Sequence, residues 1–211
     1  MKYGIGELAD CSLRLIVKSL LCERGGRSLL NGLSFSLSGG SALIVRGKNG
    51  TGKSSLLKVI AELHTPVSGD VTLVRGEETQ QEDEVLWHYI GHKNAVKEAL
   101  TVFENISFWQ MYCGGDGDCH HALSELGLLQ VADEPVRILS NGQRRRLCIA
   151  KLLVAYRPLW LLDEPFVGLD TTSKEKLISM INEHLLADGM VVIASHQEFS
   201  LLNAREIVLE D

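Results

Sequence analysis

The run Gly47-Lys48-Asn49-Gly50-Thr51-Gly52-Lys53-Ser54 fits G-x-x-x-x-G-K-[S/T] without a mismatch. Its glycines allow successive backbone N–H groups to turn toward an anion with no Cβ in the way. Lys53 is the one strong point charge in reach of a β/γ-phosphate, and Ser54 can place a hydroxyl on Mg²⁺. Gly47 through Ser55 are therefore the expected cradle of a nucleoside triphosphate. A second pair of groups suited to the same chemistry follows downstream. Asp163 closes the apolar run Leu159-Trp160-Leu161-Leu162, and Glu164 comes next. An acid at the tip of a strand beside a phosphate loop can hold Mg²⁺, and its neighbour can orient or deprotonate an attacking water. Two acids after an apolar run could also be ordinary surface residues; the loop upstream favours the chemical reading.

These groups need strands and helices to aim them. Ser41-Ala42-Leu43-Ile44-Val45 reads as a buried strand into the loop, and residues 54–61 read as the helix behind it, with its positive dipole end toward the anion. Strands are also expected over 13–20, 33–37, 71–74 and 85–90, with a break over 65–70 and a solvated acidic loop over 77–84. From about residue 100 to 155 the pattern turns helical, with helices predicted over 101–112, 119–126 and 140–156 and Thr101 as an N-cap. Leu159 to Asp163 and Met190 to Ala194 are almost continuously apolar, as strands covered on both faces are. An amphipathic helix over 171–187 lies between them. Strands and helices alternate, and the alternation is interrupted by one all-helical insert.

Composition bounds the reading without deciding it. The 211-residue chain is 45% hydrophobic and 23% charged, ordinary for a globular domain, and long enough for one large core. A net charge of −6 argues against a nucleic-acid partner. No window approaches the roughly 18 apolar residues of a membrane helix, and residues 1–21 lack the pattern of a cleaved signal peptide. The five cysteines (Cys11, Cys22, Cys113, Cys119, Cys148) contain no C-x-x-C pair and fit a reducing compartment. Cys113, Cys119, His120 and His121 match no strong zinc spacing and are read as part of a polar loop. Trp87, Trp109 and Trp160 are expected in the core. His64, His88 and His184 are assigned no partners, and Arg144-Arg145-Arg146 fits either a phosphate contact or a solvated helix face.

Further motifs carry a family resemblance. Leu139-Ser140-Asn141-Gly142-Gln143 is similar to the L-S-G-G-Q signature of ATP-binding cassette (ABC) ATPases. Gly168-Leu169-Asp170 resembles their D-loop and Ser195-His196 their switch histidine. The order and spacing of these pieces match from Leu13 onward. The resemblance implies an α/β P-loop NTPase of the ABC-cassette type, with a mixed or parallel sheet core and an all-helical insert. A single domain would span 1–211, its core about 12–98 and 157–211 and its helical subdomain about 99–156. It further implies a head-to-tail homodimer on ATP binding. Ser140 and Gly142 at a helix N-terminus, with Asp170, would contact the nucleotide held by the other subunit, and His196 the γ-phosphate of its own.

Within ABC ATPases, Cys22-Glu23-Arg24-Gly25-Gly26-Arg27, Tyr89-Ile90-Gly91-His92, Leu100-Thr101-Val102-Phe103-Glu104-Asn105 and Asp163-Glu164-Pro165-Phe166 resemble the ATP-binding subunit of cytochrome c maturation systems, the CcmA family of haem exporter ATPases. That implies ATPase activity, integral-membrane permease partners, a peripheral place on the cytoplasmic face of a bacterial inner membrane, and a role in haem handling. Three positions depart from the pattern. Asn141 replaces a signature glycine, and Lys93 stands where a Q-loop glutamine is usual, with Asn94 beside it as an alternative oxygen ligand. Arg24 is the expected substitute for the aromatic that usually stacks on adenine. Other readings remain open: the ATPase of another ABC transporter, a soluble ABC ATPase of DNA repair or translation, or a non-catalytic nucleotide-gated module.

Overall fold

Each strand of the central sheet divides its side chains between two cores, which is why its sequence is apolar on both faces. The computed structural model describes residues 13–75, 78–79 and 85–210, without the side chains of Arg24, Arg27, Glu78 and Thr79. In chain order the elements are β1 (Leu13–Arg24), β2 (Arg27–Ser38), β3 (Ala42–Arg46), α1 (Lys53–Ile60), β4 (Ser68–Arg75), β5 (Glu78–Thr79) and β6 (Trp87–Ile90). There follow α2 (Val102–Tyr112), α3 (Cys119–Glu125), α4 (Asn141–Val154), β7 (Leu159–Asp163), α5 (Thr171–Leu186), β8 (Met190–Ala194) and β9 (Ala204–Val208).

Two sheets result. One is antiparallel in the order β2-β1-β4-β5; the other is parallel in the order β6-β7-β8-β3-β9. Leu159, Leu161, Met190 and Val192 point into a core shared with α1 (Leu56, Leu57, Ile60) and the antiparallel sheet (Leu15, Val17, Leu37). Their neighbours Trp160, Leu162, Val191 and Ile193 point the other way, into a core with Ile106, Leu123, Leu147 and Ile181 of the remaining helices. Helix starts are set locally. Thr101 with Glu104, and Ser140 with Gln143, form reciprocal capping boxes, each worth about 1 kcal/mol. Asp118 and Asp170 cap α3 and α5.

The α/β class, the parallel sheet and the helical insert agree with the expectation; several local readings do not. β4 begins at Ser68, inside the expected break, because Leu21 pairs with Ser68 across a register shift in β1. Within the acidic stretch 77–84, Glu78–Thr79 pair with β4 as a short strand, while the rest lies outside the described residues, as do Cys11 and the side chain of Arg24. The edge strand β9 was not expected: four of its five side chains are exposed, so its sequence carries no apolar alternation. Trp87 and Trp109 are only half-buried, while Trp160 is buried and stacks on His184 with ring centroids 3.9 Å apart. His88 and His184 are both buried, and each bonds a carbonyl, that of Ala155 (2.7 Å) and that of Pro158 (3.2 Å) respectively.

Candidate nucleotide-binding site

The loop of residues 47–52 joins the C-terminal end of β3 to α1, and its shape depends on glycine. Gly47 has φ 143°, and a Cβ there would sit 2.6 Å from Thr51 Oγ1 and 2.7 Å from the carbonyl oxygen of Leu209. The Thr51 hydroxyl donates to the Lys48 carbonyl (3.0 Å), which tightens the turn. Lys53 is buried, and its ammonium donates to the carbonyls of Gly47 (2.6 Å) and Lys48 (2.8 Å). No side chain caps α1, so its leading N–H groups remain available to an anion.

β7 and β8 bring the second half of the site alongside. The Ser54 hydroxyl donates to Asp163 Oδ1 at 2.9 Å. Burial first, and then the Asp163 carboxylate, push the Tyr89 phenol up to about 12, so it stays protonated beside that carboxylate. Glu164 has φ 48°, a costly conformation for a residue with a Cβ, held in part by its N–H bond to the Ala194 carbonyl at 2.8 Å. His196 Nδ1–H donates to Glu164 Oε1 at 3.0 Å, while Glu164 Oε2 is buried and has no hydrogen-bond partner among the described residues. The Arg46 guanidinium donates to the carbonyls on both sides of His196, those of Ser195 (3.1 Å) and Gln197, and pairs with Glu206 at 2.9 Å.

A cleft of about 650 Å³ opens between these groups. Asn49, Gly50, Gly52, Lys53, Ser54 and Ser55 line one wall and Asp163, Glu164 and His196 another. Leu29, His92 and Val167 complete the lining. Gly47, Lys48 and Thr51 do not line the cleft and shape the loop through the bonds just described. Lys93, read as standing at the Q-loop position, is exposed and does not line the cleft. The neighbouring His92, exposed as well, lines it. Asn94 does not face the cleft either; its Oδ1 accepts from Arg145 at 3.3 Å.

Ser140, Gly142 and Asp170 also lie outside this cleft, grouped where α4 meets the loop before α5. A Cβ on Gly142 would sit 3.0 Å from the Gly168 carbonyl oxygen, so a side chain there would crowd the loop before α5. Asp170 Oδ1 accepts from the Ser173 N–H at 2.8 Å, and bonding from Ser173 holds its carboxyl below the usual carboxylate range.

Both sequence readings of the arginine run miss Arg145. It is neither solvated nor at a phosphate; it is 4% exposed and bonded to the main chain around Glu164. Burial pulls its guanidinium below the ordinary range. Tyr89, His92, Leu29, Arg46 and Arg145 were all missed as site residues. Tyr89 and His92 lie within one motif, Arg145 within the arginine run, and Arg46 just before the phosphate loop, yet the bonds they make depend on pairings across the sheet that no local spacing encodes.

Comparison with known proteins agrees with this geometry. Residues 30–167 match the ABC transporter family. A cytochrome c biogenesis ATP-binding export protein CcmA from Brucella abortus (strain 2308) is 44% identical over 185 residues, covering 87% of this chain and 86% of that protein. The protein of the same name from Mesorhizobium japonicum is 45% identical over 185 residues, covering 87% and 92%. An ABC transporter ATP-binding protein from Pyrococcus furiosus superposes with a TM-score of 0.79 at 23% identity, covering 93% and 97%. A dimeric ATP-binding cassette bound to ADP and Pi superposes with a TM-score of 0.75 at 21% identity, covering 87% and 88%. A chain with this cleft, this match and these relatives belongs to the ABC transporter ATP-binding family and, within it, to the CcmA family of cytochrome c biogenesis export proteins.

Proposed function

We propose that the chain is the ATP-binding and ATP-hydrolysing subunit of the membrane ABC complex of cytochrome c biogenesis. The observation that carries this is the single cleft in which Lys53, the Ser54–Asp163 pair and the Glu164–His196 pair face one another. In this reading the loop amides and Lys53 hold the triphosphate, with Leu29 offering an apolar contact. Glu164 orients the attacking water and takes its proton through Oε2, the oxygen left without a partner among the described residues. His196 holds the other carboxylate oxygen and reaches the γ-phosphate.

The hydroxyl and carboxylate of Ser54 and Asp163 form a hard-oxygen pair that suits Mg²⁺. When bound there, Mg²⁺ supplies positive charge that offsets the charge developing on the β- and γ-phosphate oxygens. Tyr89 keeps the Asp163 carboxylate aimed at that position.

Ser140, Gly142 and Asp170 have no place at their own cleft, which supports a head-to-tail homodimer in which they meet the nucleotide of the second copy. The helical unit of about residues 99–156 would swing as one body on closure. Among the described residues no helix is long and apolar enough to cross a membrane. Attachment to the cytoplasmic face of a bacterial inner membrane would therefore pass through permease subunits, with haem or a haem–chaperone complex as the load. The test is ATPase activity of the purified chain with and without Mg²⁺, followed by co-purification with its integral-membrane partners from detergent extracts. Mg²⁺-dependent turnover that rises on reconstitution with those partners supports the proposal. No turnover, or no captured membrane subunit, overturns it.

A further inference from the structure

α4 serves two places at once. Its N-terminal turn, from Ser140 to Gly142, lies outside the chain's own cleft, yet Arg145 in the next turn reaches the backbone that carries Glu164. All five guanidinium donors meet oxygen. Nε donates to the Pro165 carbonyl (3.2 Å) and Nη2 to those of Asp163 (3.1 Å) and Glu164 (2.9 Å). Nη1 donates to the Gly91 carbonyl (2.8 Å) and to Asn94 Oδ1 (3.3 Å). None of these acceptors is a carboxylate, so the contact is a bracket on the main chain and not an ion pair.

The bracket encloses the backbone that most needs holding. Glu164 sits at φ 48°, and the carbonyls of Asp163, Glu164 and Pro165 all face one planar cation. With those peptide planes fixed, the Cα–Cβ bond from which the Glu164 carboxylate is aimed is fixed too, and His196 holds its far end. The same guanidinium ties down the turn of residues 91–94, which carries His92 into the cleft. Lys151, one helical stretch further along α4, donates to the Tyr89 carbonyl and pins the strand leading into that turn.

We infer that Arg145 is a positioning residue for hydrolysis: it locks the main chain around Glu164 and the 91–94 turn to the helix whose N-terminus would meet the partner's nucleotide. This rests on the ATPase reading above. Lysine cannot replace it, because three donors on a single nitrogen cannot span five oxygens on two segments.

The experiment uses the full-length chain with Arg145→Lys, Arg145→Gln and Arg145→Gly. Steady-state ATPase, binding of a fluorescent ATP analogue and thermal melting are measured on each. Arg145→Lys and Arg145→Gln are expected to melt cooperatively and to bind nucleotide with KM within about 3-fold of the parent. Their kcat should fall roughly 10–100-fold, the scale of a misplaced catalytic group. Millimolar guanidinium should restore part of kcat in Arg145→Gly while leaving the parent unchanged. If Arg145→Gln fails to fold, the Arg145→Lys result decides. Unchanged kcat in Arg145→Lys, or a kcat loss that only tracks lost binding and lost folded protein, overturns the inference. A parent chain with no ATPase overturns the functional reading first, before any variant is measured.

Discussion

Replacing Glu164 by Gln isolates one proton-transfer event, because nearly everything else at the residue is unchanged. Gln has the same Cβ and length, so the main chain at φ 48°, its N–H bond to Ala194 and the Arg145 bracket stay as they are. The amide oxygen can still accept from His196 Nδ1, which lies 3.0 Å from Oε1. Lost is the second oxygen, Oε2, buried without a partner among the described residues and placed to take a proton from water in the cleft. Losing a positioned base costs roughly 10²–10⁴ in turnover, or about 3–5.5 kcal/mol of barrier. Ground-state contacts to the nucleotide are not made through this carboxylate, so KM for ATP should stay within about 3-fold. Steady-state ATPase assays give kcat and KM separately, and size-exclusion chromatography with ATP shows whether the unhydrolysed dimer accumulates. Turnover within about 3-fold of the parent, or a monomer that persists with saturating ATP, refutes the role given to Glu164.

Three further outcomes follow from the same structure. Lys53→Ala should abolish ATP binding in calorimetry, since it removes the ammonium held between the Gly47 and Lys48 carbonyls, the one lysine of this segment that lines the cleft. Leu56→Ala should destabilise the fold by about 2–5 kcal/mol in urea unfolding, because Leu56 is fully buried between the two sheets. Stability should also fall as pH drops from about 6.5 to about 4. Burial lowers the folded pKa of both His88 and His184 to about 4 from 6.5, so in that window the unfolded chain binds more protons. Above pH 6.5 the full stability is present; at pH 4 each histidine costs on the order of 3 kcal/mol at most. Urea melts at stepped pH check this, and a flat profile would contradict the burial of the two rings.

The phosphate loop was legible because its chemistry is local. Four positions close together, Gly47, Gly52, Lys53 and Ser54, must be those residue types for the segment to hold a triphosphate, so the pattern survives in one dimension. Asp163 and Glu164 were legible for a related reason: a strand covered on both faces is continuously apolar, and an acid at its end stands out. β9 and the Glu78–Thr79 strand were not, since an edge strand needs hydrogen-bonding partners and not an apolar face. That His92 and not Lys93 lines the cleft was not legible either. Which side chain of a turn faces a cleft depends on the path of the backbone between its anchors, here the Arg145 bonds to Gly91 and Asn94.

By itself, then, the sequence determined the phosphate-binding chemistry, the alternation of strands and helices, and the family, since each is written in residues close together along the chain. Only the tertiary structure decided which distant groups hold that chemistry in place. Tyr89 reaches Asp163, Arg46 brackets His196 and Arg145 brackets Glu164 because the parallel order β6-β7-β8-β3-β9 lays those strand ends side by side. Contacts to main-chain carbonyls leave no mark on the residue types that supply the oxygens. A guanidinium that reads in sequence as one more surface charge can therefore be the most fully bonded side chain at the site.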